Sequence, residues 1–169
     1  MFKILNEVCT PQRATKYSAY VDLFARESTI IGAGETKIVP LGVQLDVEGL
    51  KKSWIKKSGL ANTPEDPQSH LIEFGFNHFL KSHYLELAIR SSLATRGLII
   101  ANGSGKIDLD YPHELGLIAH YPYNGKGASH CQIHKGDKIA QCTLIEHKGY
   151  LMGLDSGVER TGGFGSTGQ

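Results

Sequence analysis

ANGSGKIDLDY, residues 101–111, couples a glycine-bearing turn to an alternating run. Ile107, Leu109 and Tyr111 fall on one phase and Lys106, Asp108 and Asp110 on the other, the period-two signature of a half-buried strand. The spacing predicts a β-hairpin with an apolar inner face and two carboxylates outside. Same-face neighbours on a regular strand stand roughly 7 Å apart, close enough for one carboxylate to influence its partner's protonation while admitting a water molecule. An isolated D-x-D is equally a solvated acidic face, so the rest of the chain decides its meaning.

The same punctuation continues on both sides of this stretch. Short apolar or alternating runs at 3–8, 21–24, 37–45, 84–89, 98–101, 107–110, 115–120, 138–145 and 149–151 are separated by Gly, Pro, Asn and Asp. That pattern predicts an all-β sandwich or barrel. No tandem repeat suggests a solenoid or propeller. Between about 50 and 83 the β pattern is interrupted by two lysine pairs, the single tryptophan Trp54 and a proline-flanked turn. The run SHLIEFGFNHFL at 69–80 then predicts a short helix with Ser69 as its cap. We read 50–83 as a mostly non-β insertion whose apolar content docks on its own barrel or on a protein partner, with its lysines as a solvated face.

A chain of 169 residues is the size of one domain. Its 18 Lys and Arg against 17 Asp and Glu leave no broad field for nucleic acid or an anionic membrane, so anion binding has to be local. Cys9, Cys131 and Cys142 form no CxxC pair and are odd in number, which fits reduced thiols rather than a disulfide framework or zinc site. The amino terminus lacks an apolar signal region, and no run approaches membrane-spanning length. A soluble protein of the cytoplasm is expected.

Four other segments carry candidate chemistry. In AYVDLFA at 19–25, Asp22 stands inside an apolar strand, where a carboxylate is either a structural acceptor or a site residue. In RSSLATRG at 90–97, Arg90, Ser91 and Ser92 offer a donor fork, hydroxyls and main-chain N–H groups suited to phosphate, although a short capped helix begins the same way. In KGDKIAQ at 135–141, Gln141 presents an amide at a polar phase of a strand. The glycine-rich tail, about 159–169, carries Arg160, Phe164, Ser166 and Thr167 on a backbone that can approach a ligand closely. No histidine pair has a metal-ligand spacing, and His130 and His134 read as surface residues.

In this order the five segments resemble the trimeric dUTPase family, the deoxyuridine 5′-triphosphate nucleotidohydrolases, over nearly the whole chain outside the insertion. The resemblance implies a jelly-roll-like β barrel forming a homotrimer with shared sites, one of them capped by the terminal arm. It implies hydrolysis of dUTP to dUMP and pyrophosphate, with Mg²⁺ as cofactor. By the same resemblance Asp108 activates the attacking water, and Asn102, with the main chain through Gly105 and Ile107, reads uracil. Tyr111 packs on the deoxyribose and Phe164 covers the base. Arg90, Ser91, Ser92 and Gln141 hold phosphates, Arg160, Ser166 and Thr167 approach the terminal ones, and Asp22 positions Mg²⁺-bound waters.

The chain also departs from the family pattern. Tyr20 replaces a small residue before Asp22, Pro112-His113 stands where a basic or polar residue and a glycine are usual, and Arg160 lies one residue nearer Phe164. With the insertion, these suggest a divergent member, acting in a host's cytoplasm if its source is viral. Related dCTP deaminases require a glutamate base on the strand after the hairpin, and 115–120 contains none. Hydrolysis of dCTP, or a nucleotide-gated regulatory role through the insertion, are the other readings.

Overall fold

The computed structural model describes residues 1–59, 69–123, 128–154, 157 and 162–164. Among these residues ten strands form two four-stranded sheets and one ribbon, with all the strand pairings antiparallel. In the first sheet β1 (Phe2–Ile4), β4 (Glu35–Leu45), β8 (Glu114–Tyr121) and β6 (Ile99–Ile100) lie side by side. The second orders β2 (Val21–Phe24), β10 (Lys138–Glu146), β5 (His83–Ile89) and β7 (Gly105–Asp108). A ribbon pairs β3 (Thr29–Gly32) with β9 (His130–Ile133). The sheets share one core but are not hydrogen-bonded into a closed barrel among the described residues.

Alternation explains the core. Along β8, Leu115, Leu117 and Ala119 point inward, and from β5 and β10 Leu85, Leu87, Ile139 and Cys142 meet them. Burial pushes the Cys142 thiol up to about 12, so it behaves as a small inert hydrophobe. Within β4, Pro40 cannot donate to the ladder, and the register shifts between Pro40 and Gln44. The Gly42 N–H released by this irregularity donates to Glu114 Oε1 (2.7 Å), while Glu114 Oε2 pairs with Arg26 Nη1 (2.8 Å). Glu114 is thus the first residue of β8, one position before the predicted strand, and its carboxylate is held by the fold rather than offered as a base.

The segment after β4 contains two helices, α1 (Val47–Ser58) and α2 (Ser69–Ser82), the second agreeing with its predicted span. The Asp46 side chain accepts from Gly49 N to open α1, and Gly59 ends it in the left-handed region at φ 72°. These signals were legible but were read as an irregular interruption. Trp54 meets Phe76 and Phe79 at ring-centroid distances of 5.9 and 6.5 Å, and Lys51 pairs with Glu73 across the helices. Leu50 and Phe76 belong to the same buried cluster as the strands, so the helices dock on their own β domain. Phe76→Ala should therefore cost about 3 kcal/mol. Denaturant unfolding followed by Trp54 emission checks this; an unshifted midpoint would mean the helices are not coupled to the core.

Two predicted strands are corrected. The stretch 3–8 ends as a strand at Ile4, and Glu7–Cys9 forms a 3₁₀ turn whose start is capped by Asn6. Residues 149–151 lie in another 3₁₀ turn, Gly149–Met152. Strands β3 and β9 escaped the sequence reading because each has only four residues next to turn-rich segments. Among the described residues no helix is long and apolar enough to cross a membrane.

Candidate functional site

Residues 101–111 do not form the hairpin expected of them. β6 pairs with β8 in the first sheet and β7 with β5 in the second, so the turn between them passes from one sheet to the other. Gly103 makes this possible at φ 76°, its N–H donating to Ile100 O at 3.3 Å. The predicted alternation of faces survives: Lys106, Asp108 and Asp110 are exposed, and Leu109 and Tyr111 are buried. Ladder pairing stops at Asp108, where Tyr111 N donates to Asp108 O at 3.1 Å and starts a turn. Asp110 therefore leaves the strand, and the regular two-residue spacing between the carboxylates does not apply.

Separating β6 from β7 opens a cavity of about 280 Å³. Asn102, Gly105, Ile107, Tyr111 and Phe164, all five residues assigned above to base and sugar, line it over an apolar floor that includes Leu87, Ile100 and Ile118. That floor was not anticipated, because it requires knowing that β5, β6 and β8 meet there. Phe164 and Tyr111 meet edge to face, with centroids 6.2 Å apart and planes at 90°. Gly163 lies so close to Tyr111 that a Cβ there would fall 2.4 Å from Tyr111 Cε2. The described part of the arm thus rests on the cavity mouth through a position where a side chain would have to displace the Tyr111 ring.

Asp108 ends β7 opposite Tyr84 of β5 and lines the adjoining cleft with Asp110, Lys81, His83 and His147. Lys81 comes from the last turn of α2, so the inserted helices reach this cleft. Nearby, the Tyr20 hydroxyl donates to Glu86 Oε2 at 2.5 Å, and that bond raises the phenol above its usual range. The bulky residue that replaced a small one is accommodated by tying β5 to the residue preceding β2.

The predicted phosphate residues gather elsewhere on the second sheet. Gln141 of β10 stands opposite both Asp22 of β2 and Ala88 of β5. Asp22 is buried, its Oδ1 3.3 Å from Arg90 Nε. Its Oδ2 lies 3.2 Å from Lys138 Nζ, without the alignment of a hydrogen bond. Lys138 was not singled out from sequence, since only the β2–β10 register brings it to Asp22. Arg90 precedes the short helix α3 (Ser91–Ala94), with Ser91 and Ser92 exposed on its first turn. Arg160, Ser166 and Thr167 lie outside the described residues.

Asp108 and the Asp22–Gln141 row share one sheet face but are four residues apart along β5 and two or three strands apart across the sheet. At ordinary strand spacings that is roughly 15–20 Å between Cα atoms. One chain therefore displays a largely apolar cavity beside one carboxylate and, separately, a cationic row around another. Among the described residues no three His, Cys, Asp or Glu side chains gather as a metal site. A Mg²⁺ brought by a polyphosphate needs no such cluster, because it retains waters that a single carboxylate can orient. Asp22, with one oxygen accepting no hydrogen bond, fits that indirect role.

This architecture is the dUTPase fold. It superposes on the Streptococcus mutans dUTPase with a TM-score of 0.58 at 22% identity, covering 87% of this chain and 95% of that one. For the Staphylococcus bacteriophage 80α dUTPase with dUPNHPP the TM-score is 0.62 at 18% identity, covering 100% and 98%. In sequence it is 28% identical to the deoxyuridine 5′-triphosphate nucleotidohydrolase of Rickettsia canadensis, over 94% of this chain and 87% of the relative. The Clostridium tetani protein of that name is also 28% identical, over 99% and 94%. No protein-family model matches the chain. In fold and along nearly its whole sequence the chain is thus similar to dUTPases.

Proposed function

We propose that the protein hydrolyses dUTP to dUMP and pyrophosphate. The observation that carries this reading is the convergence of Asn102, Gly105, Ile107, Tyr111 and Phe164 on one cavity, with Asp108 following on the same strand. Uracil enters between the sheets, where the main chain around Gly105 and the Asn102 amide supply hydrogen bonds and Leu87 and Ile118 supply apolar contact. Tyr111 packs on the deoxyribose, leaving no room for a 2′-hydroxyl, and Phe164 covers the base. Asp108 accepts a proton from a water as its oxygen bonds to the α-phosphorus. The bond from that phosphorus to the bridging oxygen breaks, and pyrophosphate leaves with the electron pair.

Arg90, Ser91, Ser92 and Gln141 hold the phosphate chain, with Arg160, Ser166 and Thr167 of the arm. Asp22 would orient the waters of a Mg²⁺ carried by the triphosphate, an ion that would neutralise part of the phosphate charge. The distance between the Asp108 cavity and the Asp22 row supports a homotrimer in which one chain's cavity faces another chain's phosphate row. Excision of the inserted helices would be a poor test of partner binding, because Leu50 and Phe76 would leave holes in the core.

The test of the reaction is a panel of dUTP, dCTP, dTTP and UTP with Mg²⁺, with products identified. The expected result is dUMP and pyrophosphate from dUTP, at a kcat/KM at least 10²-fold above the others. Preferential turnover of dCTP would move the base assignment to residues 103–106 while keeping the chemistry. A second, regulatory reading is favoured by Leu71 and Phe74 on α2, which are 65% and 75% exposed. On that reading the outer face of α2 engages a protein while nucleotide occupies the cavity.

A further inference from the structure

The Tyr111 ring is the element on which sugar selection depends in the reading above, and its backbone is already fixed. Its N–H is tied into the turn from Asp108, and the following Pro112 confines it to extended conformations. What remains to be set is the plane of the ring. Its hydroxyl donates to Glu114 O at 3.5 Å, and its neighbours among the described residues include Gly163 against one side, Phe164 edge to face at 6.2 Å, and His113 nearly perpendicular at 5.7 Å and 84°. Gly163 and Phe164 belong to the arm. His113 belongs to the loop that carries Tyr111, two residues further along the chain.

We propose that His113 is a specificity-determining positioning residue, holding the Tyr111 ring at the angle that rejects a ribose. The proposal rests on the dUTPase reading and extends it to a residue at which this chain departs from the family pattern. A perpendicular aromatic pair is worth enough to bias a ring torsion by a few-fold to about tenfold in population. A ring already in place spends no binding energy on reorientation when the nucleotide arrives. The imidazole serves as an aromatic edge, which a phenyl ring can replace.

The experiment measures kcat/KM for dUTP and UTP, with thermal unfolding, in wild-type protein, His113→Gly and His113→Phe. In His113→Gly the dUTP/UTP ratio should fall about fivefold, mainly through improved use of UTP, with kcat for dUTP within about twofold of wild type. His113→Phe should restore the ratio. Because His113 is exposed, both variants should unfold close to the wild-type temperature. A wild-type protein that prefers dUTP, together with a His113→Gly variant that keeps the full ratio, overturns the proposal alone. Failure of His113→Phe to restore the ratio also overturns it, since the edge contact would then not be the cause. A wild-type protein inert towards dUTP overturns the underlying reading, and this proposal with it.

Discussion

Asp108→Asn should lower pyrophosphate release from dUTP by about 10³-fold or more while the protein still binds a non-hydrolysable dUTP analogue within about threefold of the wild-type affinity. The amide keeps the size and much of the hydrogen bonding of the carboxylate but cannot accept the proton that the attacking water must lose. Asp108 is exposed at the end of β7, so its replacement should leave the unfolding temperature almost unchanged. Asp108→Ala should behave alike in turnover. Near-normal turnover in either variant would show that the carboxylate does not handle the proton. A parallel loss of binding would instead assign it to ground-state contact with the nucleotide.

Deletion of residues 162–169 is the second large effect. It removes Gly163 and Phe164 from Tyr111, uncovers the cavity mouth, and takes away the hydroxyls proposed to reach the terminal phosphates. Loss of positioning and of water exclusion should reduce kcat/KM for dUTP by about 10²-fold. Phe164 is half exposed, and the core cluster does not include it, so stability should stay near that of the full chain. Steady-state kinetics and thermal unfolding of the truncated protein separate the two effects. Unchanged kinetics would place the arm outside the site.

The two effects come from parts of the chain that the sequence revealed unequally. Alternation around Asp108 marked the buried and exposed faces correctly, because a side-chain period of two survives even where the ladder stops. It could not show that β6 and β7 belong to different sheets. A short glycine turn between two apolar runs has the same local chemistry whether it closes a hairpin or crosses a core. The cavity exists only because the turn crosses. Asp22 was legible as an anomaly, a carboxylate in an apolar strand. Its pairing with Arg90 and Lys138 was not, since both arrive through the fold rather than through local spacing. α1 carried its own cap residues, Asp46 and Gly59, but lysine-rich polar stretches mask a narrow apolar stripe, and Leu50, Trp54 and Ile55 were too few to announce a helix.

The resemblance to the family motifs supplied a proposal that periodicity could not, with Asp108 for water activation and Asp22 for the phosphates. The most direct test of the central claim, attack of water at the α-phosphorus, is single-turnover hydrolysis of dUTP with Mg²⁺ in 18O-labelled water, with the products resolved by mass spectrometry. Attack by an Asp108-activated water at the α-phosphorus predicts one labelled oxygen in dUMP and none in pyrophosphate. Label in pyrophosphate with unlabelled dUMP would place the attack at the β-phosphorus and contradict the account.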